Sequence, residues 1–496
     1  MLRFAAVVLS PMTNEISPEQ MNITSMLEIH GWAHLDAILL AALTLEAPLL
    51  LVGPHGTAKS LLVEKMAKTL NMEMRHYNAS LLNYDDLVGI PLPDESGEKL
   101  HFVTTPGSIW DAEFVFFDEI SRCRSDLQNK LFPIIHERKI IGIPLENLRH
   151  RWAAMNPPAP EDIDQAMQQT EYYLGSEPLD PALADRFPFV VAVPNWGSLS
   201  KEERREVILG AAYTEDLKST FTDMTGGRSF EDLVAECIKL IPELESEFSE
   251  WLPDYVMTVM DVLEQAKLPQ SPRRARMLAQ SMVAVHAARL VLEGENADVE
   301  YSAQLALLYG MPQNCSEVPP SPATIVATHK QAWEIASLAD SDEWRQVLEE
   351  NDPVKRILIA DSLGFGDEDM ARLITQALGA EESDARQVGL AVAMYLSFSK
   401  RRNLVPAAWE PIVKLAGPVL QPRPVKTTIP PGFVTNTWKE IKAWLDKRPI
   451  NGDPLENIVQ NYVLACFPDL WKSHKWQEAL DQFEKDLDTF NVKEQL

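Results

Sequence analysis

Long apolar runs and signal-peptide features are missing from this chain of 496 residues. No uninterrupted apolar run reaches the roughly 18 residues that a membrane-spanning helix requires. The longest candidate, residues 37–52, is interrupted by a threonine, a glutamate and a proline. Residues 1–10 contain a short apolar stretch and one arginine. They lack the longer apolar core and the small-residue cleavage site of a signal peptide. We therefore expect no membrane insertion. We also expect an unstructured leader over residues 1–28, in which Met12 or Met21 could be the true start.

Cysteine is scarce, and the cysteines are far apart. The four residues are Cys123, Cys237, Cys315 and Cys466, and none belongs to a C-x-x-C pair. This spacing indicates neither a disulfide framework nor a zinc site. A reducing, cytoplasmic environment is the expected location.

Positive charge is also in short supply, with 45 Lys and Arg against 73 Asp and Glu and a net charge of −28. Such a surface repels phosphate backbones and anionic lipids unless a local basic patch overrides it. The clearest basic run is Lys400-Arg401-Arg402. Its two interpretations are a helix C-terminus, where cations complement the helix dipole, and a binding patch. We favour the first and expect no nucleic-acid partner.

Two proline-rich stretches, residues 316–322 and 421–431, are natural linkers because proline neither continues a helix nor donates to a strand ladder. Before the first linker, near-continuous apolar runs alternate with helical patterns, which is typical of a parallel sheet covered by helices on both faces. The predicted strands are 48–52, 73–78, 113–117, 151–156 and 189–193. The clearest helices between them are 61–70 and 125–137. From about residue 199 onward the periodicity is helical.

A glycine-rich turn follows the first predicted strand and precedes an amphipathic helix. Its sequence, Gly53-Pro-His-Gly-Thr-Ala-Lys59-Ser60, resembles the phosphate-loop pattern G-x-x-x-x-G-K-[ST], in which backbone N–H groups hold phosphate at a helix N-terminus. Lys59 would reach the β- and γ-phosphates, and the Ser60 hydroxyl would bind Mg²⁺. Ala58 replaces a glycine, and its methyl group is tolerable only if φ is negative and the phosphate is not crowded. The alternative is a plain Gly-Pro turn, which does not require Lys59 and Ser60.

Two adjacent carboxylates, Asp118 and Glu119, end the third predicted strand. The first can hold the Mg²⁺ shell, and the second can polarise an attacking water. The next strand ends in Asn156, which could contact the γ-phosphate or the water, or could simply form a turn before two prolines.

Two arginines are further candidates. Arg186 closes a helix, either satisfying its carbonyl groups or acting as an arginine finger on a neighbouring subunit's ATP. Arg273 follows Pro272 at a helix N-terminus, where a cation is electrostatically disfavoured and therefore needs an anionic partner. A nucleotide phosphate would be one such partner.

In their order along the chain, these motifs resemble those of the MoxR family of AAA+ ATPases, in the helix-2-insert clade, over roughly residues 30–312. That family's usual phosphate loop is G-x-x-G-x-A-K-[ST], so Ala58 supports the resemblance. Residues 118–122 resemble its D-E-I-N-R, with serine for asparagine. Further likenesses lie at residues 128–131, 136–138, 179–187 and 271–273. Residues 85–108 resemble the family's hairpin insertion, which projects toward the central pore in ring-forming members.

The resemblance implies ATP and Mg²⁺ as cofactors and a ring, commonly a hexamer, that remodels or activates a protein complex. It also implies a partner with a von Willebrand factor A domain. The implied catalytic residues are Glu119, Lys59, Asn156 as sensor 1, Arg186 as the trans-acting finger, Arg273 as sensor 2, and Asn78, which restrains the catalytic glutamate. The implied metal ligands are Ser60 and Asp118. The nucleotide-binding residues are Gly53, Pro54, His55, Gly56, Thr57, Ala58, Lys59, Ser60 and Leu61.

The fold class expected from these features is α/β, with a phosphate-loop parallel sheet, an all-α lid and an all-α C-terminal extension. The expected parts are a leader 1–28, a nucleotide-binding subdomain 29–195, a lid 196–313, a helical domain 324–420 and a helical region 432–496. Residues 313–496 resemble no family, so the client and the exact subunit number stay open.

Two other functions remain as alternatives to a protein-remodelling ATPase. The first is a DNA-translocating AAA+ motor, which needs basic residues in its pore. The hairpin region 85–108 holds several acids, one lysine (Lys99) and no arginine. The second is a nucleotide-bound scaffold that does not hydrolyse ATP, for which an eroded carboxylate pair would be typical.

Overall fold

The computed structural model describes residues 21–93, 100–158, 176–209, 217–312, 315, 320–338, 342–350, 352–381, 383–421, 434–448, 453–466 and 476–494. Four sequence predictions fall wholly or partly outside these residues. They are most of the leader (1–20), the hairpin tip with Lys99 (94–99), most of the first proline-rich linker (316–319) and nearly all of the second (422–431). The chain divides into two compact units, Met1–Ser337 and Leu338–Leu496.

A five-stranded parallel sheet forms the centre of the first unit. Its strands are β1 (Leu49–Val52), β2 (Met74–Asn78), β5 (Phe114–Asp118), β8 (His150–Met155) and β9 (Phe189–Ala192). They lie in the order β2-β5-β8-β1-β9, and all neighbours are parallel. The residues of β1 and β8 are buried throughout, as expected for strands with helices on both faces. The predicted α/β fold class is confirmed, and each strand agrees with its predicted bounds to within one residue.

Two short antiparallel hairpins interrupt the alternation of strands and helices. The first joins β3 (Ile90–Pro93) to β4 (Leu100–Val103) and lies within the predicted insertion. The second joins β6 (Lys139–Ile140) to β7 (Ile143–Pro144) through Ile141 and Gly142, which both have positive φ.

Helices flank the sheet on both faces and then continue without strands. They are α1 (Ile23–Met26), α2 (Asp36–Thr44), α3 (Lys59–Thr69), α4 (Tyr84–Val88), α5 (Ser125–Phe132), α6 (Pro181–Ala184), α7 (Lys201–Leu209), α8 (Leu217–Met224), α9 (Phe230–Glu247), α10 (Trp251–Gln265), α11 (Pro272–Glu293), α12 (Val299–Gly310) and α13 (Pro322–Ala336). Helix α11 packs against α2, α9 and α12, which connects the all-α part to the helix that precedes β1. None of the described helices combines the length and apolarity needed to cross a membrane.

The helix predicted over residues 125–137 changes its geometry halfway. Helix α5 ends at Phe132, and Pro133–Glu137 forms a π-helical turn. Proline lacks an N–H and clashes with the carbonyl group four residues earlier, so the regular α-helical hydrogen bonding cannot continue through Pro133.

The first compact unit extends beyond the first proline-rich linker. The sequence assigned residues from 324 onward to a separate helical domain, whereas α13 packs against α10 and α12. Trp333 makes edge-to-face contacts with Trp251 and Tyr255, and the Tyr255 hydroxyl lies 2.9 Å from Nδ1 of the buried His329. This aromatic cluster gives α13 its place in the first unit.

The second unit is all helical in its described residues. Its helices are α14 (Glu343–Glu349), α15 (Pro353–Ser362), α16 (Asp367–Ala380), α17 (Asp384–Phe398), α18 (Pro406–Leu420), α19 (Val434–Asp446), α20 (Pro454–Ala465) and α21 (Trp476–Thr489). One hydrophobic core joins helices from both predicted C-terminal parts, 324–420 and 432–496. At its centre, Tyr462 of α20 stacks on Phe483 of α21.

The basic run at residues 400–402 follows the end of α17. Arg401 and Arg402 both pair with the carboxylate of Asp361, and Arg401 also donates to the carbonyl group of Ser397 in α17. These contacts match the interpretation of a helix C-terminus. The four cysteines, all within the described residues, form no disulfide and are buried.

Candidate functional site

A cleft of about 310 Å³ lies at the carboxyl ends of the parallel strands. Side chains from the turn after β1, from the ends of β2 and β5, and from the residue after β8 line it. The lining residues are His55, Gly56, Thr57, Ala58, Lys59, Ser60, Leu61, Asn78, Asp118, Glu119, Met155 and Asn156. Ligands of open α/β sheets bind at this edge. The structure therefore brings together six residues that the sequence predicted to act on ATP: Lys59, Ser60, Asn78, Asp118, Glu119 and Asn156.

The turn after β1 closes tightly onto the sheet. The Gly53 amide donates to the carbonyl group of Met155, and a side chain at Gly53 would lie 2.2 Å from the Val193 methyl group. Ala58 has φ of 63°, in the left-handed region. The expectation that the methyl group requires a negative φ is therefore wrong. The turn must reverse before α3 begins, and this geometry puts roughly 1–2 kcal/mol of strain on Ala58.

Lys59 points back into the turn. Its ammonium group donates to the carbonyl groups of Gly53 and Pro54, both at 2.6 Å. Burial lowers the pKa of Lys59 to about 8, although the carboxylates of Asp118 and Glu119 oppose the shift. The cation is thus held beneath the loop whose N–H groups would surround a phosphate.

Two oxygen ligands for a hard cation converge from α3 and β5. Ser60 Oγ donates to Asp118 Oδ2 at 2.8 Å. His76 Nε2 of the neighbouring strand lies 3.6 Å from the same carboxylate oxygen. Burial alone would raise the pKa of Asp118, but the contacts with His76 and Ser60 outweigh it and lower the pKa. A hydroxyl and an ionised carboxylate fit Mg²⁺, which is commonly held by few protein oxygens and otherwise by phosphate and water. His76 was not found from sequence; its spacing of two residues from Asn78 on one strand face was the available signal.

Glu119 follows β5 in a left-handed conformation with φ of 55°. Its amide donates to Asp118 Oδ1 at 2.9 Å, and its carboxylate lies 3.5 Å from Arg122 Nη1. Asn78 lies opposite Asp118 in the β2–β5 register and lines the same cleft. In this structure the Asn78 side-chain oxygen accepts from the amide and hydroxyl of Ser80. The described partner of the Glu119 carboxylate is therefore Arg122 and not Asn78.

Asn156 is buried at the floor of the cleft, directly after β8. Its carbonyl group accepts from Ser176 Oγ at 2.8 Å, and Ser176 Oγ lies 3.1 Å from Ser121 Oγ. Ser121 is the residue at which the D-E-I-S-R segment departs from the resembled pattern. Here it fastens the loop after β5 to the residue at the end of β8.

The two predicted arginines are not among the residues that line the cleft. Arg186 stacks over the Phe132 ring and donates to the carbonyl group of Ala182 in the preceding helix α6. Arg273 Nη1 lies 3.1 Å from Asp185 Oδ2, so Asp185 is the anionic partner that its helix-terminal position requires. Burial is the largest cause that lowers the pKa of His136, and the positive charges of Arg273 and Arg186 lower it further. Both cations thus lie near the π-helical turn.

A second pocket, of about 300 Å³, adjoins the phosphate-loop cleft and shares Gly56, Thr57, Ala58 and Leu61 with it. Its remaining walls come from the segment before α2 and from the loop and helix after β9, with Ile29, His30, Trp32, Pro194, Trp196, Leu199 and Val207 among them. His30 Nδ1 and Glu206 Oε2 pair at 2.9 Å. Apolar and aromatic side chains beside a phosphate cradle suit a nucleoside. The sequence did not reveal this pocket; the cluster Ile29-His-Gly-Trp32 ahead of the loop was its signal.

No curated protein sequence matches this chain. A solved structure of a candidate ATPase from Cytophaga hutchinsonii is similar, with 18% identity, a TM-score of 0.41, and coverage of 66% of this chain and 91% of that one. Residues 48–187 match the AAA domain family of the dynein-related subfamily. The matched segment runs from β1 to the end of the Arg186 loop and includes the residues from 55 to 156 that line the cleft. The match supports an AAA+ ATPase domain in this part of the chain.

Proposed function

We propose that this protein is a MoxR-type AAA+ ATPase that hydrolyses ATP to remodel or activate a partner protein complex. The observation that carries the proposal is the single cleft that gathers Lys59, Ser60, Asp118, Glu119 and Asn156. A non-hydrolysing scaffold has no need for both carboxylates at the same phosphate site.

The chemistry follows from the cleft. The loop amides and Lys59 bind the phosphates, and Glu119 orients and polarises a water for in-line attack on the γ-phosphate. Asn156 holds the water or the γ-phosphate. Mg²⁺, held by Ser60 and Asp118, would neutralise charge on the phosphate oxygens. Glu119 must leave Arg122 to reach the water. The role of Asn78 in restraining Glu119 rests on the sequence resemblance, since its side-chain oxygen accepts from Ser80.

We further infer that Arg186 and Arg273 serve a neighbouring subunit. They lie close together in the fold, because Arg273 pairs with Asp185, the residue before Arg186, and neither lines the chain's own cleft. A cation that neutralises transition-state charge must approach the γ-phosphate, so a second copy of the chain would have to supply it. This inference favours a ring of identical subunits, such as a hexamer.

A protein client is favoured by the exposed surface of the first hairpin. Ile90 and Val103 are register partners, and Leu92 lies on the same face two residues along. All three are exposed, at 43–56% of their full surface. Aliphatic side chains suit contact with a polypeptide, whereas a DNA translocase requires cations there. The partner with a von Willebrand factor A domain and the cytoplasmic location rest on the sequence resemblance and composition.

The decisive test is phosphate release by purified protein over concentrations that span ring assembly. We expect turnover to rise with assembly, and Glu119→Gln to retain ATP binding while losing roughly 10²–10⁴-fold in kcat. Glu243→Gln, on an exposed position of α9, is the matched control. Normal hydrolysis by Glu119→Gln would refute the assignment of the base. Stimulation by DNA that modest salt abolishes would favour the translocase instead.

A further inference from the structure

Arg274, the residue after Arg273, is buried within the first turn of α11. It is 1% exposed, although it carries a charged guanidinium group. Its Nη1 donates to the carbonyl groups of Phe187 at 2.6 Å and Gly310 at 2.8 Å, and its Nη2 donates to that of Ala184 at 2.9 Å. Burying a guanidinium is costly unless its donors are paired, and here two of the acceptors flank Arg186.

The side chain of Asp185 provides a second connection between the same two segments. It accepts hydrogen bonds from Ser271 Oγ at 2.9 and 3.0 Å and from Arg273 at 3.1 Å, and it lies 3.5 Å from Arg274 Nε. Ser271 also caps α11 by accepting from the Arg274 amide. One carboxylate therefore meets three side chains at the start of α11.

Together these contacts hold the backbone on both sides of Arg186. Among the described residues, the Arg186 side chain contacts the Phe132 ring of α5 and the carbonyl group of Ala182, and neither contact reaches α11. Its position relative to Arg273 thus depends on Arg274 and Asp185. A planar guanidinium can bridge carbonyl groups that diverge in space, whereas a lysine ammonium is a single point on a flexible stem.

We propose that Arg274 is a positioning residue for ATP hydrolysis, which holds the Arg186 segment against α11 so that Arg186 and Arg273 reach the neighbouring subunit's nucleotide together. The inference rests on the proposed function, and in particular on Arg186 acting in trans. It adds a residue that touches neither nucleotide nor metal.

The first test replaces Arg274 by lysine, with Arg276→Lys, on an exposed position of the same helix, as the matched control. We expect Arg274→Lys to bind a fluorescent ATP analogue within about twofold of wild type, because its own cleft is intact. Its kcat should fall by roughly 10²-fold, the cost of misplacing a catalytic group by about 1 Å. Arg276→Lys should match wild type in both measurements. A wild-type kcat for Arg274→Lys would overturn the proposal.

The second test uses mixed rings, because a merely structural defect is not rescued there. Subunits with Glu119→Gln have an inactive cleft but correctly placed arginines. Subunits with Arg274→Lys have an intact cleft but misplaced arginines. In an equal, randomly assembled mixture, half of the intact clefts face a Glu119→Gln neighbour with intact arginines. Phosphate release per intact cleft should therefore reach about half that of an equal mixture of Glu119→Gln and wild type. If mixing with Glu119→Gln subunits restores phosphate release to Arg186→Ala but not to Arg274→Lys, the proposed role of Arg274 is wrong. If Arg186→Ala is not rescued either, the trans-acting finger itself is wrong.

Asp185→Asn provides a second variant in case Arg274→Lys folds poorly, since it removes the charge and keeps the size. It should show the same pattern: ATP binding retained, kcat reduced and activity rescued in mixed rings. Loss of ATP binding in both variants would assign Arg274 and Asp185 to the stability of the fold and overturn the proposal.

Discussion

The buried carboxyl group of Asp36 makes the free energy of unfolding depend on pH. It is the first residue of α2, it is 3% exposed, and its Oδ1 accepts from the Thr24 amide at 3.1 Å. Its Oδ2 and the Thr24 hydroxyl have no hydrogen-bond partner within the described part of the chain. Burial raises the pKa of Asp36 from 3.8 to about 7. The pair connects α1 to α2, on either side of the segment that lines the proposed nucleoside pocket.

The direction of the effect follows from proton linkage. The folded protein holds a proton on Asp36 that the unfolded chain releases above pH 3.8, so the free energy of unfolding decreases as the pH rises toward about 7. A pKa of about 7 in place of 3.8 corresponds to roughly 4 kcal/mol in total. Roughly 2.5 kcal/mol of this falls between about pH 5 and pH 8, the range open to measurement.

The assay is urea unfolding of wild type and Asp36→Asn at a series of pH values, with the difference between the two proteins plotted. Other titrating groups cancel in that difference. Asp36→Asn should gain stability relative to wild type as the pH rises, by roughly 2.5 kcal/mol from about pH 5 to pH 8. Asp261→Asn, at an exposed carboxylate of α10, is a control for general charge effects. A difference for Asp36→Asn that stays flat, or that has the opposite slope, would refute the reasoning.

Three further outcomes are expected at the nucleotide site. Ala58→Gly should relieve the left-handed strain and raise the free energy of unfolding by about 1 kcal/mol, which denaturant unfolding measures; a destabilised variant would mean that the methyl contact matters more. Trp196→Ala should weaken ATP binding by roughly 10-fold through loss of base stacking but leave inorganic triphosphate unaffected, as titration calorimetry can separate. Equal loss for both ligands would place the base elsewhere. Ser60→Ala should raise the Mg²⁺ concentration for half-maximal ATP binding by roughly 10–100-fold, while an unchanged Mg²⁺ dependence would remove Ser60 from the metal site.

The order of motifs made the cleft predictable. A phosphate loop after one strand, two carboxylates at the end of a second and an asparagine after a third must meet if the strands are parallel and adjacent. The sheet order β2-β5-β8-β1-β9 brings them together. The apolar runs also defined the strands well, because parallel strands are buried on both faces and carry few polar interruptions.

Features that depend on contacts between distant residues were not predictable in the same way. Trp333 belongs to the first compact unit because its ring packs edge-to-face against Trp251 and Tyr255. The proline-rich linker before α13 gave no sign of these contacts. Likewise, the second pocket combines a segment before α2 with the loop after β9, about 165 residues later.

The sequence by itself determined the α/β class, the five parallel strands and the set of polar residues at one edge of the sheet, since each depends on local pattern and chain direction. Only the tertiary structure decided the φ of Ala58, which is set by the turn's closure onto β8 and β9. Tertiary contacts also gave Arg273 the carboxylate of Asp185 as its partner. Both outcomes depend on which surfaces pack together, and no local spacing carries that information.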